Sequence, residues 1–310
     1  MGFTAWIAHE IGRPLLGPVP DGVRVDVVGA LDDLPADTSG VRFWAPPFLA
    51  DGGAKTVGLV ASLPDLEIIQ LMTAGAEAWI GRLPPAVTLC DGRGIHDSST
   101  SEWAVAAILS YLRGFPVYAR HQAEGLWDRG RSVLTDELAG KRVLIVGAGA
   151  IGTACAARLV PFDVDVTLVA RSARDGVAGV GDLPNLLPQA DIVVLLVPLT
   201  EQTRGMVDAA FLAAMPDGAL LVNAARGQIV QTDALVAEVT SGRLHAALDV
   251  TDPEPLPAGH PLWDRPNVLI TPHVAGSVRG LLRRAYGLVG EQLRRYATGQ
   301  PLDNIVTGDY

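Results

Sequence analysis

The run VLIVGAGAIGTACAARL, residues 143–159, constrains the fold more than any other part of the chain. Four apolar residues lead directly into Gly147, Gly149 and Gly152, and an alanine-rich stretch that favours helix follows. A strand that turns this sharply into a helix needs glycine for three different reasons. The first glycine makes the tight turn, the second lets a ligand approach the backbone, and the third lets helix pack against strand. The helix N-terminus adds unpaired N–H groups and a positive dipole end. The segment therefore reads as a seat for a dinucleotide diphosphate, with Gly147, Gly149, Ala150, Ile151 and Gly152 as its candidate contacts.

Around that turn the pattern repeats. From Lys141 onward the runs RVLIVGAG, DVTLVA, DIVVLLVP, GALLVNAA, LHAALDV and NVLITPH alternate with helical segments. Near-continuous apolar strands of this kind belong to a parallel sheet covered on both faces. Upstream, AWIA, VRVDVV, VRFWA, LEIIQL and VTLC are short strand-like runs separated by proline- and glycine-rich stretches, which predicts a second, smaller α/β unit. Ser99 and Glu102 fit a capping box, so a long helix is expected to start at Ser99. The tail VRGLLRRAYGLVGEQLRRYATG has helical spacing.

Composition excludes several classes of function. With 310 residues and 49% hydrophobic content the chain is long enough for about two domains with buried cores. A net charge of −10 and an isoelectric point near 5.0 disfavour a nucleic-acid partner. Cys90 and Cys155 fit neither a metal-ligand spacing nor a disulfide framework. The opening residues lack the pattern of a signal peptide, and no apolar run reaches the roughly 18 residues of a membrane span. A cytoplasmic protein without a metal is expected.

The end of the second strand after the glycine turn should lie beside the adenine ribose. There the sequence places Ala170, Arg171, Ser172 and Arg174, where NAD sites commonly carry an acid. Arg171, Ser172 and Arg174 suit the additional phosphate of NADP(H), with NAD(H) the second cofactor that the site is expected to accept. The alternatives are two solvated arginines in a surface loop, or a loop that turns Asp175 inward.

Three more pieces stand at strand ends: VNAARG with Arg226, LDVTDPEPLP with Asp249 and Glu254, and LITPHVAG with His273. Together with GAGAIG and VPLTEQTRGM, in this order, the chain resembles the D-isomer-specific 2-hydroxyacid dehydrogenase family over nearly its whole length. The resemblance implies that Arg226 binds and polarises a 2-oxo acid, that His273 is the acid/base, and that Glu254 orients His273. The chemistry agrees with those roles: a developing alkoxide needs a cation and a proton donor, and histidine titrates near neutrality. Pro198, Thr203, Ala224 and Asp249 are expected on the cofactor, with Asp249 near the nicotinamide or, alternatively, an ordinary strand-end acid. Among the other histidines, His9, His96, His121, His245 and His260 read as surface or structural residues.

In the first unit Thr73, Ala74 and Gly75 resemble the family's substrate loop, whose small residues let backbone N–H groups reach a carboxylate. A plain strand-to-helix turn is the alternative. CDGRGIHDSS departs from the family's usual run, which leaves Arg93 as a possible substrate contact, and Trp44 and Phe48 are candidates for the pocket or for the core. The implied architecture is two Rossmann-like or flavodoxin-like α/β domains with parallel sheets and a cleft between them. Residues 1–93 and 277–310 form the substrate-binding domain and 94–276 the dinucleotide-binding domain, in a homodimer paired through the helix after Ser99. Two other readings remain: a phosphite- or formate-oxidising relative, against which Glu254 speaks, and a dinucleotide-sensing interaction protein with little turnover.

Overall fold

The computed structural model describes residues 2–29, 34–48, 54–128 and 135–308. The chain divides into two compact units, Met1–His96 with Val278–Tyr310, and Asp97–Ser277.

The first unit is built on β1 (Phe3–Ile7), β2 (Val23–Val27), β3 (Val41–Ala45), β4 (Ile68–Gln70) and β5 (Thr88–Cys90). They form one parallel sheet in the order β2-β1-β3-β4-β5. Successive strand residues face opposite ways, so Ile7, Phe43 and Ile68 pack on one side while Trp6, Trp44 and Ile69 pack on the other. The helix Leu281–Ala297 covers the first face with Tyr286, Val289 and Leu293, spaced to lie along one stripe. Each such fully buried side chain contributes roughly 1.5–3 kcal/mol. That helix approaches so closely that a Cβ at Gly290 would collide with the Leu16 carbonyl.

The segment after this helix closes the sheet's edge. Ile305 bridges Cys90 in antiparallel sense, Asp91 donates its N–H to Asn304 O at 2.9 Å, and Val306 donates to Leu89 O at 2.9 Å. Gln292, fully buried, fixes this segment by donating to Asp303 O and to Gln70 Oε1 and by accepting the Asp303 N–H. An edge strand is thereby covered.

The second unit carries β6 (Arg142–Val146), β7 (Asp165–Ala170), β8 (Ala178–Gly179), β9 (Ile192–Leu195), β10 (Leu220–Asn223), β11 (His245–Leu248) and β12 (Val268–Ile270). Their order is β12-β11-β10-β9-β6-β7-β8, all parallel, and it reverses between β6 and β9. A reversal at that place leaves a crevice outside the carboxyl ends of the strands. Both faces are covered: Val193 and Leu195 enter one core, Ile192 and Val194 the other.

Two expectations need correction. The helix starts at Asp97, so Ser99, only 6% exposed, lies inside its first turn and is not its cap. The sheet has a seventh strand, β8, whose two residues are too short to show a hydrophobic pattern.

Candidate active site

The glycine turn has the geometry that its sequence requires. Gly147 has φ +123 and sits against the Leu196 carbonyl, so a side chain there would be both strained and obstructed. Gly152 lies against the Gly147 carbonyl, which sets how closely the helix Ala150–Leu159 meets β6. Gly149 differs: a Cβ there would meet nothing within 4 Å, so the space above it is open. Gly149 is also the helix N-cap without a side-chain hydrogen bond, and Ala150 is exposed beside half-buried Ile151. The turn thus fits a diphosphate, which would take the place a larger residue would fill.

Beyond β7, Arg171, Ser172 and Arg174 are exposed. Arg174 and Val177 exchange backbone hydrogen bonds at 2.9 and 2.8 Å, closing a tight turn around Asp175 and Gly176, with φ +70 at the glycine. Asp175 stands exposed in this turn. The Arg174 guanidinium donates to Ala148 O at 2.9 Å, which ties the loop after β7 to the glycine turn.

After β9, Pro198 is exposed, while Thr203 shapes its own loop. Its hydroxyl donates to Pro198 O at 2.6 Å and accepts the Thr200 N–H at 2.8 Å. At the end of β10, Asn223, buried and not singled out by the sequence, folds the next turn: its Oδ1 accepts the Ala225 N–H and its Nδ2 donates to Arg226 O, both at 3.0 Å. Ala224 and Arg226 emerge half-buried from that turn. Gly227 packs so tightly on the Thr251 carbonyl that no side chain fits, which brings the Arg226 turn against the segment leading to Glu254.

His273 Nδ1 lies 2.6 Å from Glu254 Oε1, and both side chains are partly exposed at 48% and 42%. The His273 backbone is left-handed at φ +54, a conformation that costs a non-glycine residue about 1 kcal/mol or more. Asp249 holds it there. The His273 N–H donates to Asp249 O at 2.7 Å, and the carboxylate accepts from Thr271 Oγ1 at 2.6 Å and from the N–H groups of Val274 and Ala275 at 2.9 Å. Asp249 is 2% exposed. Among the described residues no cluster of three or more His, Cys, Asp or Glu side chains gathers to hold a metal ion.

In the first unit Thr73, Ala74 and Gly75 form a loop after β4 with no helix following it. Thr73 Oγ1 donates to Gly75 O at 3.0 Å, and Gly92 N–H donates to Thr73 O at 2.7 Å. Arg93 is engaged with Asp91: Nε lies 3.1 Å from both carboxylate oxygens and its N–H donates to Oδ1 at 3.0 Å. Trp44, proposed for pocket or core, is core: it is 0% exposed and packs edge-on against Trp6 and Trp79. Phe48 is partly buried beside His9. His9, expected to be a surface or structural residue, has a partner 277 residues away, the Tyr286 hydroxyl at 2.8 Å from Nδ1.

A family model described as D-isomer specific 2-hydroxyacid dehydrogenase, NAD binding domain, matches residues 105–275. Glyoxylate/hydroxypyruvate reductase A of Salmonella enteritidis is 31% identical over 98% of this chain and 95% of its own length. Formate dehydrogenase 2, mitochondrial, of Oryza sativa is 36% identical over 99% of this chain and 82% of its own. A D-isomer specific 2-hydroxyacid dehydrogenase from Xanthobacter autotrophicus Py2, crystallised with NADPH and MES, superposes with a TM-score of 0.83 at 30% identity, covering 99% of this chain and 98% of that one. With more than half of its length matched by the family model, and relatives similar over nearly the whole of it, the chain belongs to the D-isomer specific 2-hydroxyacid dehydrogenases and is an oxidoreductase with an NAD-binding domain.

Proposed function

We propose that this enzyme reduces small 2-oxo acids to D-2-hydroxy acids with NADPH as the preferred donor. The observation that carries the reading is the 2.6 Å contact between His273 Nδ1 and Glu254 Oε1. A carboxylate that accepts from Nδ1–H leaves the proton for transfer on Nε2, the tautomer an acid/base histidine needs. Arg226 binds the substrate carboxylate and polarises the keto oxygen, His273 protonates that oxygen, and the backbone of Thr73, Ala74 and Gly75 receives the carboxylate. The glycine turn, Pro198, Ala224 and the Asp249 loop hold the dinucleotide, which supplies the hydride when bound.

The NADPH preference is supported by Arg171, Ser172 and Arg174 at the end of β7, where no acid stands closer to the strand than Asp175. Solved relatives carry NADPH or NADP. Formate oxidation releases no hydroxyl proton, so it has no use for an acid/base pair, and the His273–Glu254 contact favours 2-oxo acid chemistry. We further place the enzyme in the cytoplasm as a homodimer. Its described cysteines, Cys90 and Cys155, are buried free thiols, and exposed Phe115, Leu126 and Trp127 offer apolar surface beyond the helix Asp97–Leu112. No described helix is long and apolar enough to cross a membrane.

The test is oxidation of NADPH, and of NADH in parallel, across glyoxylate, hydroxypyruvate, pyruvate and bulkier 2-oxo acids. Turnover favouring NADPH is expected. Cofactor binding without turnover on any acid would instead indicate a dinucleotide sensor.

A further inference from the structure

We infer that His9 selects for 2-oxo acids whose third carbon carries an oxygen, by donating a hydrogen bond from Nε2 to that oxygen; the inference rests on the 2-oxo acid reading above. The placement comes from the topology of the first unit. Its strand order reverses between β1 and β3, and in an open parallel sheet ligands bind outside the carboxyl ends of the strands at such a reversal. His9 lies two residues beyond β1, Phe48 three residues beyond β3, and the Thr73–Gly75 loop follows β4, the next strand in the sheet. The His9 and Phe48 rings are 6.3 Å apart and tilted by 34°. One imidazole and one phenyl ring therefore stand at the position where the substrate's own substituent would arrive once its carboxylate is on the neighbouring loop.

The chemistry of His9 is set by Tyr286. The Tyr286 hydroxyl, on a side chain that is 0% exposed, accepts the His9 N–H at 2.9 Å and lies 2.8 Å from Nδ1. A buried phenol needs an acceptor for its own hydrogen, and Nδ1 lies within hydrogen-bond reach of it. Nδ1 is then the acceptor nitrogen, and the neutral ring carries its hydrogen on Nε2, on the other side. Burial works in the same direction by lowering the pKa of His9 below its ordinary value. The result is a fixed, uncharged donor on a half-buried ring. Such a donor suits a hydroxyl or carbonyl oxygen, and a substrate bearing only hydrogen at that carbon would leave it unsatisfied.

The experiment compares kcat/KM for hydroxypyruvate and pyruvate, which differ by this one oxygen, in the wild type, in His9→Phe and in His9→Gln. The wild type should favour hydroxypyruvate by on the order of ten- to hundredfold. His9→Phe, which keeps a ring but no donor, should bring the ratio to about one, and His9→Gln, which keeps an amide donor, should restore part of it. Thermal melting of each variant confirms that it folds. An unchanged ratio in His9→Phe, or an equal fall for both acids, overturns the inference while leaving the 2-oxo acid reading intact. A wild type that turns over glyoxylate but neither of these acids overturns the inference alone, and one that turns over no 2-oxo acid overturns both.

Discussion

His273 and Glu254 meet at 2.6 Å although 19 residues separate them, because the chain returns through β12 to the same end of the sheet. Their closeness makes the pair a unit, and its two members should fail differently. His273→Asn removes the proton donor and should lower kcat by about 10²–10⁴-fold. Glu254→Gln keeps the shape and loses the charge that orients the ring, so a smaller loss of about 10–10³-fold is expected. In both variants NADPH should bind with nearly wild-type Kd, measured by fluorescence titration. Unchanged turnover in His273→Asn would remove His273 from the mechanism.

The glycines of the phosphate turn separate folding from binding. Gly149→Val places a side chain in open space with ordinary backbone angles, so the protein should fold and NADPH Kd should rise by at least about tenfold. Gly147→Ala meets the Leu196 carbonyl at φ +123 and should destabilise the fold by about 1–3 kcal/mol. Urea denaturation and NADPH titration on the two variants test the division.

What was legible in the sequence was whatever a short stretch decides by itself. Gly147, Gly149 and Gly152 each answer a local backbone demand, and apolar runs such as DIVVLLVP declare a doubly covered strand wherever the rest of the chain goes. Arg226, Glu254 and His273 stood out because resemblance supplied the order in which to look for them. The losses were long-range. His9 gains meaning only from Tyr286, 277 residues away, and the segment at Ile305 pairs with Cys90 from across the chain. Trp44 could be assigned to core or pocket only once Trp6 and Trp79 were seen against it. Nothing in VNAARG singles out Asn223, whose amide closes the Arg226 turn on both sides only in the folded chain.

Arg171 and Arg174 should discriminate between the two cofactors. A charge-assisted hydrogen bond to a phosphate contributes about 1.5–3 kcal/mol, so alanine at either position should raise KM for NADPH by about ten- to hundredfold. KM for NADH should move by less than about threefold. The contact of Arg174 with Ala148 O gives the alternative a distinct signature. If the residue only braces the phosphate turn, Arg174→Ala raises both constants equally.

Asp249 is expected to act on catalysis through the backbone of His273. Asparagine at this site would turn an NH₂ group towards the N–H groups that the carboxylate now accepts from Val274 or Ala275. Asp249→Asn should therefore cost about 1–3 kcal/mol of stability, and it should lower kcat even at temperatures where the variant is fully folded. Melting curves and turnover on the same preparation check the two effects. Full activity in a folded variant would show that the left-handed conformation of His273 is held by something else.

Asp91 offers a test of folding against pH. Its carboxyl is almost wholly buried, and burial raises its pKa above the ordinary value despite the opposing pull of Arg93. The native state then holds this proton more tightly than the unfolded chain does. The favourable contribution is complete below the unfolded carboxyl's pKa of about 3.9, and it is lost as pH rises through the higher native value. Asp91→Asn carries no such proton. Relative to the wild type, the variant should therefore be more stable at about pH 7 than it is at about pH 4, as read from urea midpoints at the two values. A difference that stays constant with pH would mean that the Arg93 guanidinium offsets the burial of the carboxylate in full.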